Sequence, residues 1–155
     1  MEKNLLIFLF SILTTTACIT SKNQTATATM QQGIEGFVYR ISGNQMPYPN
    51  MPAQTPNGFS TTIYIYETTN IKDVARKGSS AFYFAINKKQ IATVQSDSTG
   101  HFAIALPTGS YSLFTKVDNL FYANSFDIEN NIALVKVDAG KITQTVIKVD
   151  AGATY

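Results

Sequence analysis

From Gly33 onward the chain is cut into short apolar runs that alternate at period two, bounded by Gly, Pro, Asn or Asp. This pattern constrains the fold most, because a strand turns successive side chains to opposite faces and buries one of them. Residues 33–42 (GIEGFVYRIS) place Ile34 and Val38 on one face. Residues 61–67 (TTIYIYE) place Ile63 and Ile65 on one face and Tyr64 and Tyr66 on the other. Further runs lie at 81–86, 90–95, 101–106, 110–117, 121–128, 132–137 and 142–149. Asn87-Lys88-Lys89 joins two of these runs, and Asp118-Asn119, Asn130-Asn131 and Ala139-Gly140 supply other turns. Asn70 is placed to cap a short helix near 71–77, with Ile71, Val74 and Ala75 on one stripe and Gly78 at its end. No internal repeat is clear. Asp138-Ala139-Gly140 recurs as Asp150-Ala151-Gly152, which reads as two turn or end signals. Short strands at this spacing predict an all-β sandwich.

The first 32 residues read differently. A charged start (Met1 to Asn4) leads into an apolar run from Leu5, then Thr14-Thr15-Thr16-Ala17-Cys18. The apolar run is too short for a bilayer span of roughly 20 residues but fits a signal-peptide centre of about 7–15. With Ala17 before Cys18, the segment resembles a bacterial lipoprotein signal, although Thr15 stands where such signals usually carry Leu. The resemblance implies cleavage before Cys18, a diacylglycerol thioether on its sulfur and an acylated new N-terminus. One acyl chain binds a membrane only marginally, whereas two or three anchor stably. The alternatives are an ordinary secretory peptide followed by an unpaired thiol, and a cytosolic protein with a hydrophobic N-terminal strand. The layout expected is a signal peptide over 1–17, a tether over 18–32 and a domain over 33–155. The Thr-, Ala- and Gln-rich stretch 19–32 has an r.m.s. reach of roughly 20 Å as a flexible chain. Thr25 to Thr29 could instead add an edge strand. The implied localisation is the cell envelope, most simply the outer membrane, facing the periplasm or displayed at the surface.

The formal net charge is +2 and charged residues are 14% of the chain. That is not the basic excess a phosphate backbone requires, so no nucleic-acid partner is expected. Cys18 is the only cysteine, so no intramolecular disulfide forms and stability rests on burial and sheet hydrogen bonds.

Residues 97–113 (DSTGHFAIALPTGSYSL) carry the most specific pattern. Asp97 and Gly100 suit a tight turn, since Asp accepts backbone hydrogen bonds and Gly tolerates positive φ. Phe102, Ile104 and Leu106 share a face, Pro107 to Gly109 turns again, and Tyr111 and Leu113 return to the core, as a hairpin would. With Gly36 and Val38 ahead, this Asp-x-x-Gly-x-Phe joined to Leu-Pro-x-Gly-x-Tyr-x-Leu resembles the carboxypeptidase regulatory-like domain. That resemblance, over roughly 33–117, implies a transthyretin (prealbumin)-like Greek-key sandwich of about seven to eight strands. It also implies a non-catalytic module. The Pro-rich loop 43–59 and the segment 70–89 depart from the compact family pattern.

Candidate chemistry is sparse. His101 is the only histidine, and no metal-ligand spacing or nucleophile elbow accompanies it. A lone Asp97 beside hydroxyls is too little for Ca²⁺. No cofactor, metal or catalytic residue is expected. If Val38, Ile63 and Ile65 face the core, Phe37, Tyr39, Tyr64 and Tyr66 form an outward aromatic surface, unless residues 70–89 fold over them. Met46, Tyr48 and Met51 form a second candidate in the Pro-rich loop, unless that loop packs across one end of the sandwich. The expected role is a lipid-anchored envelope module that binds a protein or glycan, with its oligomeric state open. The alternatives are a small hydrolase or carbohydrate-processing enzyme with an unrecognised site, and a pilus or fibre subunit whose segment 142–155 pairs with a neighbour.

Overall fold

The computed structural model describes residues 30–47 and 57–155. The leader, Cys18, most of the tether, Tyr48 and Met51 lie outside the described residues. In chain order the strands are β1 (Gly33–Asn44), β2 (Asn57–Gly58), β3 (Thr62–Glu67), β4 (Val74–Arg76), β5 (Phe82–Ile86), β6 (Gln90–Gln95), β7 (His101–Ala105), β8 (Gly109–Val117), β9 (Leu120–Tyr122), β10 (Leu134–Val137) and β11 (Ile142–Thr154). They form two sheets, and the chain is an all-β sandwich.

The first sheet is built around β1. One edge of β1 pairs in parallel with β11, from Gly33 opposite Ile142 to Asn44 opposite Thr154. The other edge is shared, with β7 antiparallel along Gly33–Phe37 and β2 at Tyr39 and Arg40. The second sheet runs β4-β5-β9-β8-β3-β6, with β10 beside the first half of β8. Ile34, Val38, Phe102 and Val149 of the first sheet meet Ile63, Ile65, Leu113, Tyr122 and Val137 of the second in a continuous buried core. Tyr122 and Asp150 join the sheets at one side, where the Tyr122 hydroxyl donates to the Asp150 carboxylate.

A second core lies on the far face of the second sheet. Tyr66, Tyr83, Phe114, Ala123 and Ile132 are buried there, with Ile71, Val74 and Ile86 packed against them. The rings of Tyr66 and Tyr83 each meet Phe114 edge to face at 5.7 Å, an arrangement that aligns ring edges with π faces. Ile71, with Val74, Tyr83 and Ile86 of the edge strands β4 and β5, therefore closes over Tyr66 and Phe114 together with Ala123 and Ile132.

The 97–113 pattern has a structural explanation at nearly every position. Asp97 Oδ1 accepts from the Thr99 amide at 2.8 Å, the Thr99 hydroxyl at 2.7 Å and the His101 amide at 3.0 Å. Gly100 sits at φ +84°, and a Cβ there would lie 2.2 Å from the Val38 carbonyl oxygen. The Tyr111 hydroxyl donates to the Pro107 carbonyl at 2.9 Å and locks the connection between strands. Gly109 leaves room for that ring, since a Cβ would meet the Tyr111 hydroxyl oxygen at 3.1 Å.

Several local expectations change. β7 and β8 are not a hairpin: β7 pairs with β1 and β8 with β3, so the Pro107 turn carries the chain from one sheet to the other. Asn87-Lys88-Lys89 does join β5 to β6, and the two strands pair elsewhere, β5 with β4 and β9 and β6 with β3. The helix near 71–77 reduces to one 3-10 turn, Ile71–Asp73. Asn70 caps it as expected, with Asp73 returning a capping-box bond to the Asn70 amide at 3.1 Å. The helix stops because Val74–Arg76 zips onto β5, where β-branched Val74 joins the second core. The run 121–128 is strand only to Tyr122; beyond it, Asp127 Oδ1 accepts from the amides of Glu129 and Asn131 and turns the chain. Asp150-Ala151-Gly152 is no end signal, since β11 continues through it to Thr154.

The chain enters β1 beside the start of β11. The Gln32 side chain donates to the Leu106 carbonyl at 2.8 Å and accepts from the Gly140 amide at 2.8 Å. Gly33 N donates to the Lys141 carbonyl at 3.1 Å. Gln32 thus lies at the end of the first sheet opposite Asn44 and Thr154.

Candidate binding face

Alternation along β1 turns Ile34 and Val38 inward and Glu35, Phe37 and Tyr39 outward. The register with β11 sets Gln144 beside Glu35, Val146 beside Phe37 and Lys148 beside Tyr39. On the other side His101 lies beside Phe37 and Ala103 beside Glu35. These residues form one outward strip on the first sheet, with Phe37 36% and Val146 53% exposed. The Phe37 and Tyr39 rings stack with centroids 5.8 Å apart and planes within 1°. The His101 imidazole tilts against Phe37 at 5.2 Å.

A polar bridge holds the strip flat. Glu35 Oε1 lies 2.9 Å from His101 Nε2, and Glu35 Oε2 accepts from Gln144 Nε2 at 2.9 Å. One carboxylate thereby spans β7, β1 and β11. Hydrogen bonds from Gln144 and then His101 hold the Glu35 carboxyl below the usual carboxylate range. Gly36, behind the strip, lets β1 and β11 approach closely, since a Cβ there would lie 2.1 Å from the Thr145 carbonyl oxygen.

The other sequence-read candidates separate from this strip. Tyr66 is only 6% exposed, in the second core beneath residues 70–86, so it is no part of an accessible surface. Tyr64 is half-buried, edge to face with Phe121 at 5.3 Å and beneath the Lys116 ammonium at 5.3 Å. Burial pushes the Tyr66 phenol up, with the neighbouring Tyr64 adding to the rise. The four aromatics are thus two pairs on different sheets, with Phe37 exposed, Tyr39 and Tyr64 half-buried and Tyr66 buried. Met46 is exposed near the far end of β1, its amide donating to Asn44 Oδ1 at 2.9 Å.

Among the described residues, shallow clefts flank the sandwich. One, about 220 Å³, opens between β10 and β11 and is lined by Leu113, Ala133, Leu134, Val135, Val146 and Ile147 among others. The second, about 300 Å³, lies near the end of β1 between Arg40, Ser42, Val117, Asp118, Val149 and Gly152. Among the described residues no three His, Cys, Asp or Glu side chains converge as metal ligands would. No helix among them is long and apolar enough to cross a membrane. Sequence reasoning missed Ile128, which is 99% exposed at the tip of the Asp127 turn. The Asp-x-Glu-Asn-Asn stretch at 127–131 held the signal, because Asp and Asn favour such turns. Comparison with protein families, curated proteins and solved structures finds no match to this chain.

Proposed function

We propose that the chain is a lipid-anchored cell-envelope module that works by binding, through the outer strip of its first sheet. The observation that carries this reading is an asymmetry. On the second sheet Tyr66, Tyr83 and Phe114 are buried against Ile71, Val74 and Ile86, whereas the first sheet leaves Phe37 and Val146 exposed side by side, with half-buried Tyr39 next to them. Uncovered apolar surface on a rigid sheet is a common mark of an interaction site. The sequence supports the anchor through Ala17-Cys18, and the Asp97 to Leu113 pattern supports kinship with carboxypeptidase regulatory-like modules, which are non-catalytic. The outer membrane is the favoured location, with an envelope protein or glycan as partner. A fibre role built on segment 142–155 would use the other edge of β11, since Ile142–Thr154 pairs with β1 of the same chain along one edge.

The test compares wild type with Cys18→Ala in labelled-palmitate incorporation and membrane fractionation. Wild type is expected to incorporate palmitate and sediment with membranes, and the variant to do neither. A photo-reactive residue at position 37 is expected to give a discrete crosslinked species in intact envelopes. Full membrane retention of Cys18→Ala would overturn the anchor, and absence of any species crosslinked through position 37 would overturn the binding face.

A further inference from the structure

We infer that the free edge of β11 is a docking site for an extended segment of another protein. The segment adds a strand beside Gln144, Val146 and Lys148 and sets alternate side chains into the cleft between β10 and β11. The site is the edge of the strand rather than its outer face, and it needs no anchor.

β11 ends the first sheet, and among the described residues only β1 pairs with it. Gly33 sits opposite Ile142, and its amide donates to the Lys141 carbonyl at 3.1 Å. In a parallel ladder of that register, residues 141, 143, 145, 147 and 149 turn their backbone groups toward β1. Ile142, Gln144, Val146 and Lys148 turn theirs to the free edge. At Asp150, next in that series, the amide donates to the Tyr122 hydroxyl at 3.2 Å. Nearer the start of β11, the Thr143 hydroxyl donates to the Lys136 carbonyl of β10 at 2.6 Å. These two bonds stitch the sheets together above and below the cleft. Between them the backbone groups of Gln144, Val146 and Lys148 have no bonding partner among the described residues.

That row of donors and acceptors repeats every second residue, about 6.6 Å, a spacing that an extended polypeptide matches and a glycan does not. Native sheets usually blunt such an edge with short strands or bulges. β11 has 13 residues, and its register shift lies opposite Arg40 and Ser42, beyond the cleft. The cleft, about 220 Å³, is lined by Leu113, Val135 and Ile147 together with Leu134 and Val146, which are 37% and 53% exposed. An added strand alternates as β11 does, so its inward side chains enter the cleft beside Thr145 and Ile147. Its outward side chains lie beside Gln144, Val146 and Lys148. Lys148 is the only charged side chain lining the cleft, and it forms no ion pair among the described residues. The segment that fits therefore carries aliphatic residues opposite 145–147 and an acidic residue beside Lys148.

The test uses the full chain isolated from cells in dodecyl maltoside. The probe is acetyl-Thr-Glu-Val-Val-Val-Glu-Thr-amide, which reads alike in both directions. At millimolar probe, residue-resolved hydrogen exchange is expected to slow about tenfold at the Gln144, Val146 and Lys148 amides. Two twins of the probe, N-methylated at one or the other set of alternate residues, keep every side chain. One twin is expected to bind about tenfold more weakly than the other, because only one set of amides faces β11. Lys148→Glu is expected to weaken probe binding about tenfold. No slowing at the three amides, or equal binding of the twins, would overturn the proposal. Amides already slow before the probe is added would overturn it too. Slowing that grows with protein concentration assigns the edge to a second copy, and slowing independent of concentration assigns it to the chain's own residues 19–29. Crosslinking through position 37 reads the outer strip separately, so the failure of one site is distinguishable from the failure of the other.

Discussion

The hydroxyl of Tyr122 on β9 and the carboxylate of Asp150 on β11 meet across the two sheets, and Asn124 Nδ2 and the Tyr155 hydroxyl donate to the same carboxylate at 2.9 and 3.0 Å. Burial alone would raise Asp150, but these three donors outweigh it and hold the group below its ordinary value of 3.8. The same bond, together with burial, drives the Tyr122 phenol upward, so the proton stays on the tyrosine and the charge on the aspartate. Tyr122→Phe removes the donor from a buried ring and is expected to lower stability by about 1.5–3 kcal/mol in urea denaturation. Because the folded carboxylate is the stronger acid, the unfolded chain binds the proton first as pH falls. The stabilisation is complete above pH 3.8 and drains away as pH drops through the lower folded value. The gap between wild type and Asp150→Asn should therefore be constant near neutrality and close below that pH. A gap independent of pH would refute the assignment.

Gly36 and Gly100 are expected to reject a methyl group for steric reasons that Gly78 does not share. A Cβ at Gly36 would lie 2.1 Å from the Thr145 carbonyl oxygen, and one at Gly100 2.2 Å from that of Val38. In both cases the obstacle is backbone within paired strands, which moves only by breaking the ladder. Gly36→Ala and Gly100→Ala should each cost about 3 kcal/mol or more, at the upper end for overpacked sites. Gly78, at φ +58° with nothing within 4 Å, should cost only the left-handed strain, about 1–2 kcal/mol. Thermal melts of the three variants give the ranking directly.

The sequence made the inside and outside of each strand legible, because alternation is a local property. Ile34, Val38, Ile63 and Ile65 are all fully buried as their spacing predicts. Turn chemistry was equally readable at Asp97–Gly100 and at the Asn70 cap. Partners were not readable, since pairing joins residues far apart in the chain. Nothing local to Phe82–Ile86 says that it pairs with Leu120–Tyr122 rather than with the next run at Gln90. The candidate face divides the same way. Alternation marks Tyr39 and Tyr66 alike as turned away from the main core, but only the packing of the second core decides that Tyr66 is buried while Tyr39 stays half-exposed.

That division predicts unequal costs for similar substitutions. Tyr66→Ala and Phe114→Ala each leave a hole in the second core and should destabilise by about 3–5 kcal/mol. Tyr39→Ala removes a ring from an open face and should cost less than about 1 kcal/mol. Equal losses at Tyr39 and Tyr66, measured by chemical denaturation, would mean that the outer strip is covered in solution.

The Glu35 bridge supplies a separate test of the strip as a surface rather than a core. Its carboxylate reaches His101 on β7 and Gln144 on β11, yet all three side chains are accessible, so solvent screens the pairing. Glu35→Gln can still bond Gln144, and it should leave the melting temperature nearly unchanged. What it alters is the order of the strip. Without a charged acceptor beside it, His101 regains rotamer freedom and the Phe37 ring loses its fixed neighbour at 5.2 Å. Side-chain NMR relaxation of Phe37 should therefore show greater motion in Glu35→Gln, while the amide protection of β1 and β11 is preserved. Crosslinking through position 37 should fall in proportion, because a mobile strip must be ordered before it binds. A rigid Phe37 with unaltered crosslinking would show that the carboxylate bridge plays no part in presenting the face.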